Sequence, residues 1–193
     1  MVPAEFAVIK MHVGHSLDLL DGCPGITPQS IAMIATHHER FDGTGYPKRL
    51  KGGEIPLFGR MAGIVDFFDA VTSTRPHAPS ISPHDAIKSL YRYRNTLFQD
   101  ELIEQFIQTL GVYPVGTLVE LSNGEVGIII GQNRARRLRP RILVVLDHAK
   151  AELTTPYKRD LMTENEDDEG QALHIQKCLE PGTHNVHPDD YYL

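Results

Sequence analysis

The chain has 193 residues, of which 41% are hydrophobic and 23% charged, so it can bury a core and has the composition of a soluble protein. Its formal net charge of −6 argues against general binding to nucleic acid polymers. We find no apolar run of about 18 residues, so no membrane span is predicted, and residues 1–10 lack the pattern of a signal peptide. Because Cys23 and Cys178 form no CxxC pair, we expect no disulfide framework and a cytoplasmic location.

The first part of the chain, residues 4–111, is predicted to be mostly helical. The expected helices, in chain order, span residues 5–20, 28–38, 60–72, 83–93 and 100–110. Thr27 before Pro28 is typical of a helix start, and Ser82 with Asp85 fits a capping box. Gly111 is expected to end the last helix, and a loop rich in glycine and proline occupies residues 40–58.

The pattern changes after residue 112. Short β-branched runs at residues 115–121, 126–131 and 142–147 predict strands, and Asn123-Gly124 predicts a hairpin turn between the first two. An acidic run and a polar tail follow. The predicted fold class is therefore mainly α. It comprises a helical domain over residues 1–111, a small antiparallel β subdomain over residues 113–162 and a disordered acidic tail over residues 163–193.

Two adjacent histidines, His37 and His38, end the second predicted helix. Neutral imidazole is a common ligand for iron, manganese and zinc. Neighbouring side chains on a regular helix point about 100° apart, so the pair would chelate a single ion poorly. At a loosened helix end the two rings could instead serve two neighbouring ions. The alternative is that one histidine caps the helix and the other packs in the core.

The loop that follows completes the string HHERFDGTGYP at residues 37–47. Gly43 and Gly45 permit positive φ and a close approach of the backbone to a ligand. Tyr46 and Pro47 would add a rigid, partly aromatic wall. Basic side chains that could contact phosphate are Arg40, Lys48, Arg49 and Lys51. The alternative is a purely structural loop of the Ω type.

Asp66 and Asp69 lie three residues apart, so both carboxylates share one face of the predicted helix 60–72. Asp66 stands among apolar residues, and an ionised carboxylate in such surroundings needs a partner. A metal ion is one candidate partner. An ion pair with Arg60 is the alternative.

Residues 37–47 closely resemble the signature of the HD-GYP family, a branch of the HD-type metal-dependent phosphohydrolases. The similarity extends over about residues 5–111 and is good at residues 60–76, and the β segment resembles a C-terminal extension of some members. The resemblance implies part of an HD-type helical bundle that holds two or three metal ions, most often iron or manganese. It also implies hydrolysis of cyclic di-GMP to pGpG or GMP by water that the metals activate.

The resemblance assigns roles to particular residues of this chain. The implied metal ligands are His12, His37, His38 and Asp66, with His15 as the rival of His12. The implied substrate contacts are Arg40, Asp42, Gly43, Gly45, Tyr46, Pro47 and Arg75. Asp69 and Arg60 are expected to support the ligands. The match weakens after Pro76, where His77 and Ala78 replace an aromatic and a basic residue.

The family's paired His-Asp precedes the two adjacent histidines, and the chain contains no such pair there. His84-Asp85 spells the same letters, but it lies beyond the loop and is better interpreted as part of the capping box. A site with half of its ligands binds metal weakly. We therefore expect this chain alone to be inactive, either as part of a longer enzyme or as a degenerate member.

The resemblance and the missing His-Asp pair leave two candidate functions, an enzyme and a binding module. The first is a metal-dependent phosphodiesterase for cyclic di-GMP in bacterial second-messenger signalling. The second is a non-catalytic module that binds the nucleotide or a diguanylate cyclase (GGDEF) domain, with homodimerisation through exposed helix faces as a further expectation. A different substrate for the HD site is disfavoured by the GYP loop.

Overall fold

A computed structural model of the chain describes residues 3–75, 79–167 and 169–191. The chain folds as two compact units, one formed by residues 1–79 and 89–106, the other by residues 80–88 and 107–193. Over the described ranges, no helix has both the length and the apolar character needed to cross a membrane.

The helices agree closely with those expected from the sequence. Their bounds are α1 (Pro3–Lys10), α2 (His12–Leu20), α3 (Pro28–Thr36), α4 (Leu57–Thr72), α5 (Pro83–Arg92) and α6 (Asp100–Leu110). The single helix predicted over residues 5–20 is in fact two. The N–H of Met11 donates to the carbonyl of Val8, three residues earlier, at 3.0 Å, and this tighter turn separates α1 from α2.

The predicted helix boundaries rest on the caps that the sequence indicated. The Thr27 hydroxyl accepts a hydrogen bond from the N–H of Ser30 at 3.1 Å and opens α3. The Ser82 hydroxyl accepts from the N–H of Asp85 at 3.1 Å and opens α5. After α6, Gly111 has φ +82°, a left-handed conformation that ends a helix at little cost to glycine.

Helices α3 and α4 pack with almost no space between their backbones. A Cβ atom on Gly59 would lie 1.9 Å from the Thr36 hydroxyl oxygen, and one on Gly63 would lie 2.9 Å from the carbonyl oxygen of His37. Thr36 is itself buried, and its hydroxyl donates to the carbonyl of Ala32 at 2.6 Å. The two glycines therefore allow the middle of α4 to lie directly against the end of α3.

Aromatic rings hold α4 on its other side. Phe67 packs against Tyr93 and Phe98, with ring centroids 5.7 and 5.4 Å apart, and Phe68 packs edge-on against Phe106. Such ring pairs add about 0.5–1.5 kcal/mol each beyond the area that they bury. Both faces of α4 are thus fixed within the helical unit.

The second unit contains a five-stranded antiparallel sheet with the order β4-β3-β2-β1-β5. Its strands are β1 (Leu118–Leu121), β2 (Val126–Gly131), β3 (Arg141–Leu146), β4 (Glu152–Asp160) and β5 (Ile175–Leu179). The mainly helical fold with a small β region is confirmed, and so is the turn at Asn123-Gly124, where Gly124 has φ +88°. Alternate residues of β2 enter two separate apolar clusters, Ile128 in one and Ile129 in the other.

The prediction of a disordered tail is wrong for β5, which pairs with β1 along one edge of the sheet. Three apolar side chains anchor this polar stretch, because Leu173, Leu179 and Val186 are buried in the two clusters. In the acidic run, the Asp167 carboxylate accepts backbone N–H groups from Glu169 and Gln171 and so forms a turn. Asp168 lies outside the described residues.

We predict that Gly59→Ala destabilises the helical unit, because the added methyl group collides with the Thr36 hydroxyl. Overpacking of this kind costs about 1–3 kcal/mol. Gly14→Ala is the matched control, since a Cβ there meets nothing within 4 Å. Alanine is favoured over glycine in a helix by about 1 kcal/mol, so this control should stabilise. Thermal unfolding followed by circular dichroism at 222 nm measures both, and equal midpoints would contradict the close packing.

Candidate metal centre

Three histidine side chains from two helix ends converge in the helical unit. His12 begins α2, whereas His37 and His38 directly follow α3. The Nε2 atom of His12 lies 3.3 Å from Nε2 of His37 and 3.2 Å from Nε2 of His38. All three side chains offer a ligand nitrogen within 4.8 Å of the others. The sequence-predicted ligands His12, His37 and His38 are therefore neighbours in space.

Helix-end carbonyls fix the orientation of two of these rings. Nδ1 of His12 donates to the carbonyl of Ile9 at 2.6 Å, and Nδ1 of His37 donates to the carbonyl of Ile34 at 2.7 Å. Each acceptor lies in the last turn of the preceding helix, where carbonyls lack helical partners. Since a carbonyl only accepts, Nδ1 of each ring carries a proton, and the two Nε2 atoms, which can each present a lone pair, face each other.

Two facing lone pairs repel unless a cation lies between them, so the arrangement fits a metal ion. Nitrogen ligands lie about 2.0–2.1 Å from such an ion, which sets two of them about 2.8–3.4 Å apart at octahedral to tetrahedral angles. The separations between His12 and its two partners, 3.3 and 3.2 Å, fall in this range. Among the described residues, these histidines form the one group of three or more histidine, cysteine or acidic ligands close enough for an ion.

His38 is held from behind by Asp66. Nδ1 of His38 lies 3.3 Å from a carboxylate oxygen of Asp66. Burial, followed by the nearby charges of His37 and His12, lowers the pKa of His38 to about 3. The ring is thus neutral at physiological pH, the form that binds metal. A carboxylate that accepts from the far nitrogen of a ligand histidine orients the ring and raises its basicity.

Asp66 does not form the ion pair with Arg60 that was the alternative to metal binding. Arg60 donates to the side-chain oxygen of Gln99 at 2.5 Å, and the ion-pair partner of Asp66 is His38. Asp66 is also half-buried and not fully enclosed. Its role as a direct metal ligand stays a prediction, as does a supporting role for Arg60.

The loop after the histidines packs directly on this cluster. The Tyr46 ring stacks on His38 with centroids 4.7 Å apart, and the N–H of Tyr46 donates to the carbonyl of His38 at 3.2 Å. Burial, with the charge of Asp66, raises the pKa of the Tyr46 hydroxyl. A Cβ on Gly45 would lie 2.3 Å from the backbone nitrogen of Arg40, so only glycine fits. The Tyr46-Pro47 peptide bond is cis.

Glu39 organises the loop, although no pattern in the sequence indicated it. The residue is 4% exposed, and its two carboxylate oxygens accept the N–H groups of Lys48 at 2.7 Å and Leu50 at 3.0 Å. A buried carboxylate needs partners of this kind. One glutamate between a histidine and an arginine carries no periodic pattern, so the sequence does not indicate which acids of the loop point inward.

Two predicted substrate contacts, Arg40 and Asp42, face the loop itself. The Arg40 guanidinium donates to the carbonyls of His37 and Glu39 at 3.1 and 3.0 Å, and burial lowers its pKa. Asp42 accepts hydrogen bonds from the backbone and hydroxyl of Thr44. Both side chains therefore shape the loop, and their contacts with substrate stay predictions.

The other predicted residues lie around the cluster. Asp69 and Arg75 form an exposed ion pair at 3.7 Å. His15, the rival of His12, is exposed and outside the group of converging histidines. His84 bonds through Nδ1 to the carbonyl of Val112 at 3.0 Å and is not one of the converging histidines. Residues 76–78, where the sequence departs from the family pattern, lie outside the described residues.

Comparison with protein families now defines the class. The HD domain model matches residues 1–102, and a model described as a KOW domain associated with HD domain matches residues 118–184. The first match covers more than half of the chain, which therefore belongs to the HD domain family. Within that family it is of the HD-GYP type, as residues 37–47 predicted.

The chain is similar to several characterised proteins. It is 34% identical over 140 residues to a cyclic di-GMP phosphodiesterase of Pseudomonas aeruginosa, covering 72% of this chain and 34% of that protein. It is 32% identical over 105 residues to a 3'3'-cGAMP-specific phosphodiesterase of Vibrio cholerae, covering 54% and 20%. A solved HDGYP protein from Bdellovibrio bacteriovorus is 20% identical, with a TM-score of 0.47 and coverage of 57% and 34%. The chain spans about a third of the length of the first curated relatives that it matches.

We predict that His12→Ala weakens binding of manganese(II) or zinc(II), because it removes a nitrogen that lies within 3.3 Å of the Nε2 atoms of both other histidines. Asp66→Asn should weaken binding by about 10–100-fold, the usual effect of losing a carboxylate behind a ligand histidine. His15→Ala is the control, being three residues from His12 on the same helix. Isothermal titration calorimetry measures each affinity. Equal loss in the His12 and His15 variants would contradict the centre.

We also predict that Glu39→Gln loosens the loop. The amide group would replace one carboxylate oxygen by NH₂, so one of the two backbone N–H groups that Glu39 accepts would lose its acceptor. Leaving such a buried donor unpaired costs about 1–3 kcal/mol. Trypsin should then cleave faster after Lys48 or Arg49. Glu104→Gln, an exposed change on α6, is the control. Unchanged cleavage in the Glu39 variant would show that the carboxylate does not hold the loop.

Proposed function

We propose that the chain is the GYP-containing part of a metal-dependent phosphodiesterase that hydrolyses cyclic di-GMP to pGpG or GMP. The observation that carries this proposal is the cluster of three imidazole nitrogens around His12, with Tyr46 of the GYP loop stacked on His38. Relatives named as cyclic di-GMP phosphodiesterases support the same chemistry.

The protein's own groups would divide the work as follows. His12, His37 and His38 would hold the ion, and Asp66 would orient His38. A divalent ion bound there would supply a Lewis acid and lower the pKa of a water molecule. Tyr46 and the backbone at Gly45 would position the nucleotide beside the histidines. The expected two or three iron or manganese ions would need ligands in addition to these.

The choice of cyclic di-GMP over a related cyclic dinucleotide rests on the relatives alone. Those matched include both cyclic di-GMP and 3'3'-cGAMP-specific enzymes. Both nucleotides contain guanine and two phosphodiester groups, so the histidine cluster itself would not separate them. Competition between the two nucleotides in the assay below measures the preference.

The second candidate function is a binding module without turnover. The observation in its favour is the small ligand set, since three histidines form the one qualifying metal group over the described residues. In this role the GYP loop would bind the nucleotide or a diguanylate cyclase domain. That partner, homodimerisation and a cytoplasmic location remain predictions.

We predict that any hydrolysis of cyclic di-GMP by this chain, supplied anaerobically with iron(II) or manganese(II), is lost in the His37→Ala/His38→Ala variant. The double change removes two of the three nitrogens that converge on the site. His84→Ala is the control, because its imidazole bonds to the carbonyl of Val112 and is not one of the converging histidines. Product formation is followed by chromatography of pGpG and GMP.

The outcomes bear on both candidates. Turnover that depends on the paired histidines supports the phosphodiesterase and shows that the residues present suffice. A folded, metal-loaded chain that binds cyclic di-GMP without turnover is either a part of a longer enzyme or the binding module. Turnover that survives the double change would sink the proposed centre.

A further inference from the structure

A cavity of about 500 Å³ lies against the Tyr46 ring. Its walls are the loop from Gly43 to Pro47, together with Lys10 from the end of α1 and Arg49. Tyr46 belongs to both places, because the same ring lines the cavity and stacks on His38 with centroids 4.7 Å apart. A ligand in the cavity would therefore contact a ring that packs directly on the histidine cluster.

Lys10 brings a positive charge to this cavity. Its Nζ atom lies 4.4 Å from the centroid of the Phe6 ring and 5.0 Å from that of Tyr46. Aromatic faces attract and position a cation without neutralising it. Over the ranges that the structure describes, Lys10 forms no ion pair with a carboxylate. The ammonium group is therefore positioned but still able to bind an anion.

Arg49 brings the second charge, from a backbone held in an unusual conformation. Its φ is +56°, in the left-handed region that non-glycine residues seldom adopt. The N–H groups on either side, of Lys48 and Leu50, are both bound by the Glu39 carboxylate. This bonding holds the strained residue, and such strain is typical of functional loops. Arg49 is exposed and, within the described parts of the chain, has no acidic partner.

We propose that Lys10 and Arg49 form an anion subsite that binds the phosphodiester group not being cleaved. This inference rests on the proposed function, because a cyclic dinucleotide carries two phosphodiesters and the metal centre acts on one at a time. The chain has a net charge of −6, so two cations without acidic partners in the lining of one cavity are a local exception. Their positive charge suits the second, uncleaved phosphodiester. The subsite then sets how tightly the substrate binds and contributes little to the bond-breaking step.

The first test measures binding without metal. Cyclic di-GMP is titrated into the chain in EDTA by calorimetry, comparing wild type with Lys10→Gln and Arg49→Gln. We expect each variant to bind about fivefold or more weakly, whereas Lys10→Arg and Arg49→Lys, which keep the charge, should bind like wild type. Arg136→Gln, an exposed change in the β2–β3 loop, controls for the loss of one charge. Equal affinities across the set, or no metal-independent binding by wild type, would overturn the subsite.

The second test separates the subsite from the proposed function. Manganese-loaded protein is assayed on cyclic di-GMP and on bis(4-nitrophenyl) phosphate, which has a single phosphodiester. We expect Lys10→Gln and Arg49→Gln to raise KM for cyclic di-GMP about tenfold, with kcat and hydrolysis of the small diester little changed. Equal loss on both substrates would contradict the subsite. If wild type hydrolyses neither substrate, turnover by this chain alone is excluded, and the result in EDTA still decides the subsite.

Discussion

The close contact between α3 and α4 is the constraint on which the candidate centre depends. Without side chains at Gly59 and Gly63, α4 reaches the Thr36 hydroxyl and the carbonyl of His37. Asp66 lies about one turn beyond Gly63, and at this distance its carboxylate meets His38 at 3.3 Å. A methyl group at either glycine would push the helices apart, and the carboxylate would then lose the imidazole that it orients.

The ends of helices supply the second requirement, which is the fixed direction of the rings. His12 and His37 each bond to a carbonyl three residues earlier, in the last turn of the preceding helix. The break at Met11 places His12 just after the end of α1, as His37 lies just after the end of α3. The two hypotheses for His37, helix cap and metal ligand, are compatible, because one ring nitrogen serves each purpose. At both positions, the same hydrogen bond caps the end of a helix and orients the histidine ring.

Much of the fold could be predicted because its signals are local. Caps at Thr27 and Ser82, the stop at Gly111 and the turn at Asn123-Gly124 depend on a few adjacent residues, and all are present. The predicted histidines converge as the family resemblance implied, which periodicity alone would not have shown. The pairing of β5 with β1 was not predicted, because three scattered apolar residues in a polar stretch give no periodic signal.

The contacts that support the site could not be predicted from the sequence, because they join segments that are distant in the chain. The partner of Asp66 depends on the depth at which α4 packs, and that depth depends on two glycines with no visible pattern of their own. Glu39 bonds to N–H groups nine and eleven residues later, across a loop whose path the sequence does not specify. Contacts between distant segments are decided by tertiary packing, so residue type and spacing predict the ligands better than their supports.

The position of β5 at the edge of the sheet has a consequence for how the second unit forms. Strand β1 lies between β2 and β5, and its outer N–H and C=O groups bond to residues near the C-terminus. Until that segment arrives, β1 is an open edge, and open edges recruit strands from other chains. Pairing across such a long sequence separation is also slow, because the intervening loop must close first. Strand β5 replaces this edge with one that bears the exposed Lys177, and charged residues on an edge strand oppose pairing with other chains. Versions of the protein shortened before residue 175 would therefore be expected to self-associate.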